Sequence, residues 1–300
     1  MDSFNTTPSH LDEISINMII SLNTFKTVRI ELRSIWVVIR QKFFKLFKAQ
    51  KLLGDDRLIL NALECEGIFI TNLNALRIPG SDYACELAMR AFEMHRVDED
   101  IRINKSYIDR LSESIFLEHK EILMLGLNDR LLAIIENYIG KPVFYRGVVA
   151  RCDYADGQNI ETRLFHLDSE DDRIIKMIIY LNDVGMADGP FQYVPRRFSP
   201  QIQSLVFTKG RVLDENMAEK VPSSNWHACT GSAGTVIFVD TARLFHRGME
   251  PKDRDRYALF YAYNSTTPLS KSMSGPIQKC TEILDLECLS RKQIAAIIEI

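Results

Sequence analysis

The sequence predicts a mainly β fold of the sandwich or jelly-roll class, with helices flanking it. The prediction rests first on the runs PVFYRGVVARCDY, RIIKMIIYL, PFQYV, GTVIFVD and RYALFYAYN, which follow one another from Pro142 to Asn264. They are rich in β-branched and aromatic residues and are separated by Asp-Gly, Gly-Pro and Ser-Gly style turns, the signature of short strands in series. It rests second on the helical periodicity of residues 81–95 and 127–139 ahead of them, the latter stopped by Gly140-Lys141-Pro142.

The N-terminal part divides on charge. Between Thr24 and Leu52 stand eight basic residues against the single acid Glu31. Leu32, Ile35, Trp36, Ile39, Phe43, Leu46 and Phe47 recur at three- and four-residue steps, so one apolar stripe of a basic amphipathic helix results. Such a helix packs on its own domain, the favoured reading, or lies on an anionic membrane or a partner protein. Gly54-Asp55-Asp56 reads as a stop and a fresh start, and Gly67–Asn72 as a short strand. The expected organisation is a helical extension over 1–53 and a β domain over 54–300 with its core at 142–264. Residues 200–230 are polar and weakly patterned, as a functional lid would be, and the tail from Pro276 to Ile300 is helical in its last part.

Composition bounds the partners. Three hundred residues, 46% hydrophobic and 26% charged, describe an ordinary globular chain, and a net charge of −3 gives no global pull toward nucleic acid or anionic lipid. No basic patch with interleaved aromatics accompanies the β segment, so a small-molecule partner is expected and a nucleic acid is not. Six scattered cysteines without a CxxC pair fit reduced thiols in a cytoplasm. The start Met1-Asp2 carries no basic leader, and the uncharged run Ile14–Phe25 is too short to span a bilayer.

His166-Leu167-Asp168 precedes the strand Arg173–Leu181, and in extended backbone positions i and i+2 share a face. An imidazole and a carboxylate thus converge, and His246, following GTVIFVD and the connection TARLF, can reach the same point from a neighbouring strand. Two histidines and one carboxylate make the facial triad of non-haem Fe(II), which leaves coordination positions open for a chelating 2-oxo acid and for O2. The far carboxylate of such an acid needs a guanidinium; Arg256, ten residues after His246, is placed for it, with Arg254 as a competitor on the same face. Arg151 and Asp153 alternate with Val149, so they face the interior if Val149 does; otherwise Ala150 and Cys152 do.

In order, HLD, IIYLNDVGMADGPFQYVP, GSAGTVIFVDTARLFHRG and RYALFYAY resemble the phytanoyl-CoA dioxygenase-like branch of the Fe(II)/2-oxoglutarate-dependent oxygenases, over roughly residues 57–264. The resemblance implies a double-stranded β-helix of the cupin-like, jelly-roll kind. It also implies His166, Asp168 and His246 as both metal ligands and catalytic centre, and Arg256 as the 2-oxoglutarate anchor. The implied activity is that of an oxidoreductase, a dioxygenase that decarboxylates 2-oxoglutarate to succinate and CO2, consumes O2 and takes hydrogen from a bound small organic molecule. Hydroxylation, desaturation and cyclisation all begin so. Halogenating relatives carry glycine or alanine where this chain has Asp168, so halogenation is disfavoured. Where relatives continue with Gly-Ser-His, this chain reads Arg196-Arg197-Phe198, two cations able to meet an anionic substrate or solvent. Arg151 is expected to contact cosubstrate or substrate, while His227 carries no assignment. Two other readings remain open: a β-helix binding protein without turnover, and a cupin-like metal enzyme that does not use 2-oxoglutarate.

Overall fold

The computed structural model describes Ile39 and residues 50–95, 107–202, 205, 210–270 and 280–298. The chain divides into two units, Met1–Ala49 and Gln50–Ile300. Apart from Ile39 and residues 50–52, the basic segment 24–52 lies outside the described residues.

Helix α1 (Gly54–Glu66) buries Ile59, Leu60 and Leu63 along one face. It ends at Gly67, whose left-handed φ of 77° lets its amide reach back to the Leu63 carbonyl, a turn that a side chain would disfavour. Strand β1 (Ile68–Asn72) follows, then the single turn α2 (Leu73–Leu76), capped by the Asn72 side chain. Helix α3 (Ser81–His95) is the one expected from its periodicity. After the short strand β2 (Ile108–Arg110) come α4 (Glu113–Glu118), α5 (Lys120–Gly126) and α6 (Asp129–Ile139). Asn128 caps α6 and Gly140 closes it at φ 70°, where the sequence placed the stop.

The remaining strands are β3 (Val143–Asp153), β4 (Ile175–Tyr180), β5 (Phe191–Tyr193), β6 (His227–Cys229), β7 (Thr235–Asp240), β8 (His246–Gly248) and β9 (Arg256–Ser265). They form two antiparallel sheets, β1-β7-β4-β9-β3-β2 and β6-β5-β8. A bridge from His166 to His246 extends the smaller sheet. Two facing antiparallel sheets with helices on one side are the expected jelly roll.

The period of two decides what faces what. Ile178 and Tyr180 of β4 meet Phe191, Ile237, Val239 and Leu244 between the sheets, whereas Met177 and Ile179 join the helical side with Ala150, Cys152, Leu259 and Tyr261. The alternation thus turns Val149, Arg151 and Asp153 toward the space between the sheets. Three tyrosines fasten the helices to the large sheet: Tyr145, Tyr261 and Tyr263 donate to the carbonyls of Leu123, Ile122 and Gly126 at 3.1, 2.9 and 2.7 Å. Full burial of each such ring adds roughly 1.5–3 kcal/mol, and satisfying its hydroxyl avoids the penalty of an orphaned donor.

The stretch expected to be a lid is a packed cap where it is described. Its helices α7 (Ser199–Ile202) and α8 (Asp214–Lys220) precede β6. Ile202, Leu205, Val212, Met217 and Val221 bury themselves on Phe165 and Phe245. Short helices α9 (Cys280–Ile283) and α10 (Arg291–Ile297) close the chain, the latter with a Ser290/Gln293 capping box. Among the described residues no helix is long and apolar enough to cross a membrane.

Candidate metal centre

The site is assembled by backbone pairing. His166 and His246 are direct bridge partners, with His166 N–H donating to the His246 carbonyl at 3.0 Å and His246 N–H returning the bond at 3.1 Å. Side chains of a directly opposed pair emerge on the same face, and the two rings stand with centroids 4.3 Å apart at 50°. Two residues on, Asp168 shares that face and is held by its amide on the Thr241 carbonyl at 2.9 Å. One ligand atom from each of the three lies within 4.8 Å of the others. An ion with bonds of about 2.1 Å spans at most about 4.2 Å between ligands, so a small side-chain adjustment closes the set.

Each imidazole is oriented by the chain just before it. His166 Nδ1 lies 2.8 Å from the Leu164 carbonyl and His246 Nδ1 lies 2.9 Å from that of Leu244. A carbonyl only accepts, so Nδ1 carries the proton and Nε2 keeps its lone pair for a metal. Burial lowers the pKa of both rings, that of His246 to about 4, and the neighbouring imidazole lowers His166 further. Burial acts to raise Asp168, but the Lys176 ammonium, 2.6 Å from Oδ2, and the two imidazoles outweigh it and hold the carboxyl well below its usual range. Two neutral nitrogens and one anionic oxygen at neutral pH are the donors a divalent first-row ion takes. Phe191 stacks on His246 at 5.5 Å.

A second carboxylate, which sequence reasoning passed over, shapes the turn that delivers His246. Asp240, fully buried at the end of β7, accepts from Tyr138 Oη at 2.6 Å, Ala242 N at 3.1 Å and Ile174 N at 3.3 Å. Its signal was available as a lone acid closing the apolar run VIFV. Burial raises its pKa, against the Tyr138 hydroxyl and the arginines Arg243 and Arg173.

Beside the triad opens a cavity of about 350 Å³ between the sheets, with His166, Asp168, Lys176, Arg151, Val149, Phe260 and Ala262 on its walls. A smaller recess continues from it past His246 and Gly248 to Arg256. The β3–β9 register sets Asp153 opposite Arg256, and the two make an ion pair at 2.9 Å with both side chains buried. Arg256 Nη1 donates to the Gly189 carbonyl, while its Nε–H is buried with no hydrogen-bond partner. Gly248 makes the room: a Cβ there would stand 2.7 Å from Arg256 Nη2. Arg254, the competitor, is exposed and pairs with Asp188 at 2.7 Å, outside the cavity.

Arg151 also faces the cavity. Its guanidinium grips Asp153 through Nε at 2.7 Å and through Nη2, with Cζ 5.0 Å from the centre of the Phe260 ring. Burial acts to raise Asp153, but Arg151 and Arg256 together bring its pKa down to about 2. Arg196 and Arg197 do not line the cavity: Arg196 donates to the Glu64 carbonyl at 2.6 Å, and Arg197 covers the Phe198 ring at 4.8 Å. The one-turn helix at Arg196–Phe198 turns them outward. His227 is exposed beside Tyr193. Lys176 was missed, although a cation two residues before Ile178 in an apolar strand must share the inward face.

No protein-family profile matches the sequence, and no curated protein does. Among solved structures the chain is similar to HygX from Streptomyces hygroscopicus, crystallised with iron bound, at 15% identity over 72% of this chain and 88% of that one, TM-score 0.46. It is also similar to EctD from S. alaskensis with 2-oxoglutarate and 5-hydroxyectoine, at 19% identity over 73% and 80%, TM-score 0.48. A third is SnoN, a non-heme alpha ketoglutarate dependent epimerase from nogalamycin biosynthesis, at 12% identity over 74% and 90%, TM-score 0.44.

Proposed function

We propose that the chain is an Fe(II)/2-oxoglutarate-dependent oxygenase of the phytanoyl-CoA dioxygenase-like kind, acting on a small organic molecule in the cytoplasm. The observation that carries this is a two-histidine, one-aspartate triad with both Nε2 atoms free, next to a buried guanidinium whose Nε–H has no partner. With dioxygen, Fe(II) and 2-oxoglutarate supply an oxidant strong enough to take a hydrogen atom from an unactivated carbon, releasing succinate and CO2.

The residues have distinct tasks. His166, Asp168 and His246 would hold the metal, at the wall of the cavity. Asp168 has two oxygens, so one can stay with Lys176 while the other binds metal. Arg256 offers Nε–H to the distal carboxylate of the cosubstrate, and Asp153 keeps that guanidinium charged and in place by opposing the cost of burying it. Arg151 acts on the cosubstrate through Asp153. Phe191, Val149 and Phe260 are the apolar walls that keep water from the reacting carbon.

The test is succinate formation from 2-oxoglutarate with Fe(II) and a substrate panel, together with the weak visible charge-transfer band of anaerobic Fe(II) chelated by the 2-oxo acid. Band and succinate together support the proposal. The band without succinate on any substrate favours a binding protein; metal binding without the band favours a cupin-like enzyme that does not use 2-oxoglutarate.

A further inference from the structure

The cavity is more positive than the proposed reaction requires. Arg110, Arg146, Arg151, Lys176 and Arg211 stand on its walls and Arg256 in the adjoining recess, six cations in all. Against them stand the four carboxylates Glu161, Asp168, Glu170 and Asp153. A bound dication and the dianion 2-oxoglutarate cancel, so a charge of plus two remains for the substrate to meet. A positive cleft with low-dielectric walls concentrates anions and disfavours cations.

The charges are not equally committed. Arg146 lies 3.8 Å from Glu170, Arg151 is held by Asp153, and Lys176 by Asp168. Arg110 and Arg211 have no side-chain acid in bonding distance among the described residues, and both are exposed at the mouth. They come from different walls. Arg110 ends β2, in register with Arg151 of β3. Arg211 precedes Val212, which bridges to Phe165 one residue before the first histidine. Arg211 is close enough to both imidazoles to depress their proton affinity. The same cavity is lined by the hydroxyls of Tyr107 and Thr162, 3.4 Å apart, and by the apolar surface of Val149, Phe260 and Ala262.

We infer that the primary substrate carries an oxyanion, a phosphate or a carboxylate, clasped between Arg110 and Arg211 at the mouth while its carbon skeleton lies on Val149 and Phe260 toward the metal. A guanidinium suits either group, because both present two oxygens to its planar fork. The inference rests on the oxygenase reading for its geometry, but the two arginines are independent of metal.

The test uses three probes of one size, phenyl phosphate, benzoate and benzylamine, titrated calorimetrically into the full chain at ~0.15 M salt, where unspecific attraction is screened beyond about 8 Å. Each titration is run on the metal-free protein and on protein loaded with redox-inert Ni(II) and excess 2-oxoglutarate. The expected result is that phenyl phosphate or benzoate binds at least about ten-fold tighter than benzylamine in both forms. Arg110→Gln and Arg211→Gln are each expected to weaken the anion by about ten-fold, as loss of one charge-assisted contact does, with Ni(II) affinity unchanged in Arg110→Gln. Phosphate and carboxylate sources are separated by which probe of the two prevails. Equal binding of benzylamine, or anion binding unmoved in both variants, overturns the inference. Failure of 2-oxoglutarate to bind the Ni(II) form while the anion order holds overturns the oxygenase reading instead and leaves the clasp standing.

Discussion

Replacing Asp153 by Asn tests the buried charge cluster behind the metal site. Asp153 is wholly inaccessible and is shared by Arg151 and Arg256, of which Arg256 is 1% exposed. The two guanidiniums bring its pKa from the usual 3.8 to about 2, which by linkage is on the order of 2–3 kcal/mol in favour of the ionised, folded state. Asparagine keeps the shape and removes the charge, so at least this is lost, and leaving a buried cation uncompensated extends the loss toward ~3–5 kcal/mol. For a chain of this size that lowers the melting temperature by roughly 5–15 °C. The assay is thermal unfolding of the metal-free protein by circular dichroism, wild type against variant. A carboxyl with a depressed folded pKa stabilises above its unfolded value and ceases to do so as the folded value is reached. The gap between the two proteins should therefore be constant from pH 8 to about 4 and shrink toward pH 2. A variant melting within about 1 °C of wild type at pH 7 would refute the cluster's role.

Asp168→Ala should abolish turnover and weaken Ni(II) binding by more than ~100-fold in calorimetry, since loss of even an outer partner of a ligand costs 10- to 100-fold; near wild-type affinity would remove Asp168 from the ligand set. Arg256→Ala should weaken 2-oxoglutarate by about 10- to 100-fold in the anaerobic Fe(II) titration, the worth of hydrogen bonds to a charged partner, while Fe(II) affinity alone stays. Gly126→Ala places a Cβ 2.5 Å from Tyr261 Cδ1 and 2.7 Å from the Tyr145 ring; overpacking of about 1–3 kcal/mol should appear as a lower denaturant midpoint with an unchanged slope.

Much of this architecture is legible in the residues because it follows from periodicity. The long strands β3, β4, β7 and β9 are apolar runs bounded by turn residues, and their alternation suffices to put Arg151 rather than Cys152 between the sheets once β3 is paired. The short strands are another matter. β2, β6 and β8 are each three residues long, too few for a period of two to register, and β5, legible as the run PFQYV, finds both its partners at a distance in sequence. Which of Arg254 and Arg256 stands inside the fold depends on where β9 begins, and so on the pairing of Arg256 with Asp153. The cap over Phe165 escaped notice because Ile202, Leu205, Val212, Met217 and Val221 are spaced by no single period. The cations at the cavity mouth come from segments that only the fold brings together.

The reciprocal backbone bonds between His166 and His246 separate chain length from ligand geometry. The seventy-nine residues joining the two histidines could lengthen or shorten in the cap without moving either ring, because each is fixed by the other's peptide unit rather than by the path between them. One residue inserted between Thr241 and Phe245 would instead rotate the second imidazole onto the opposite face of its strand. Redesign of the entrance is thus mechanically free, whereas the five positions ahead of His246 are fixed in number.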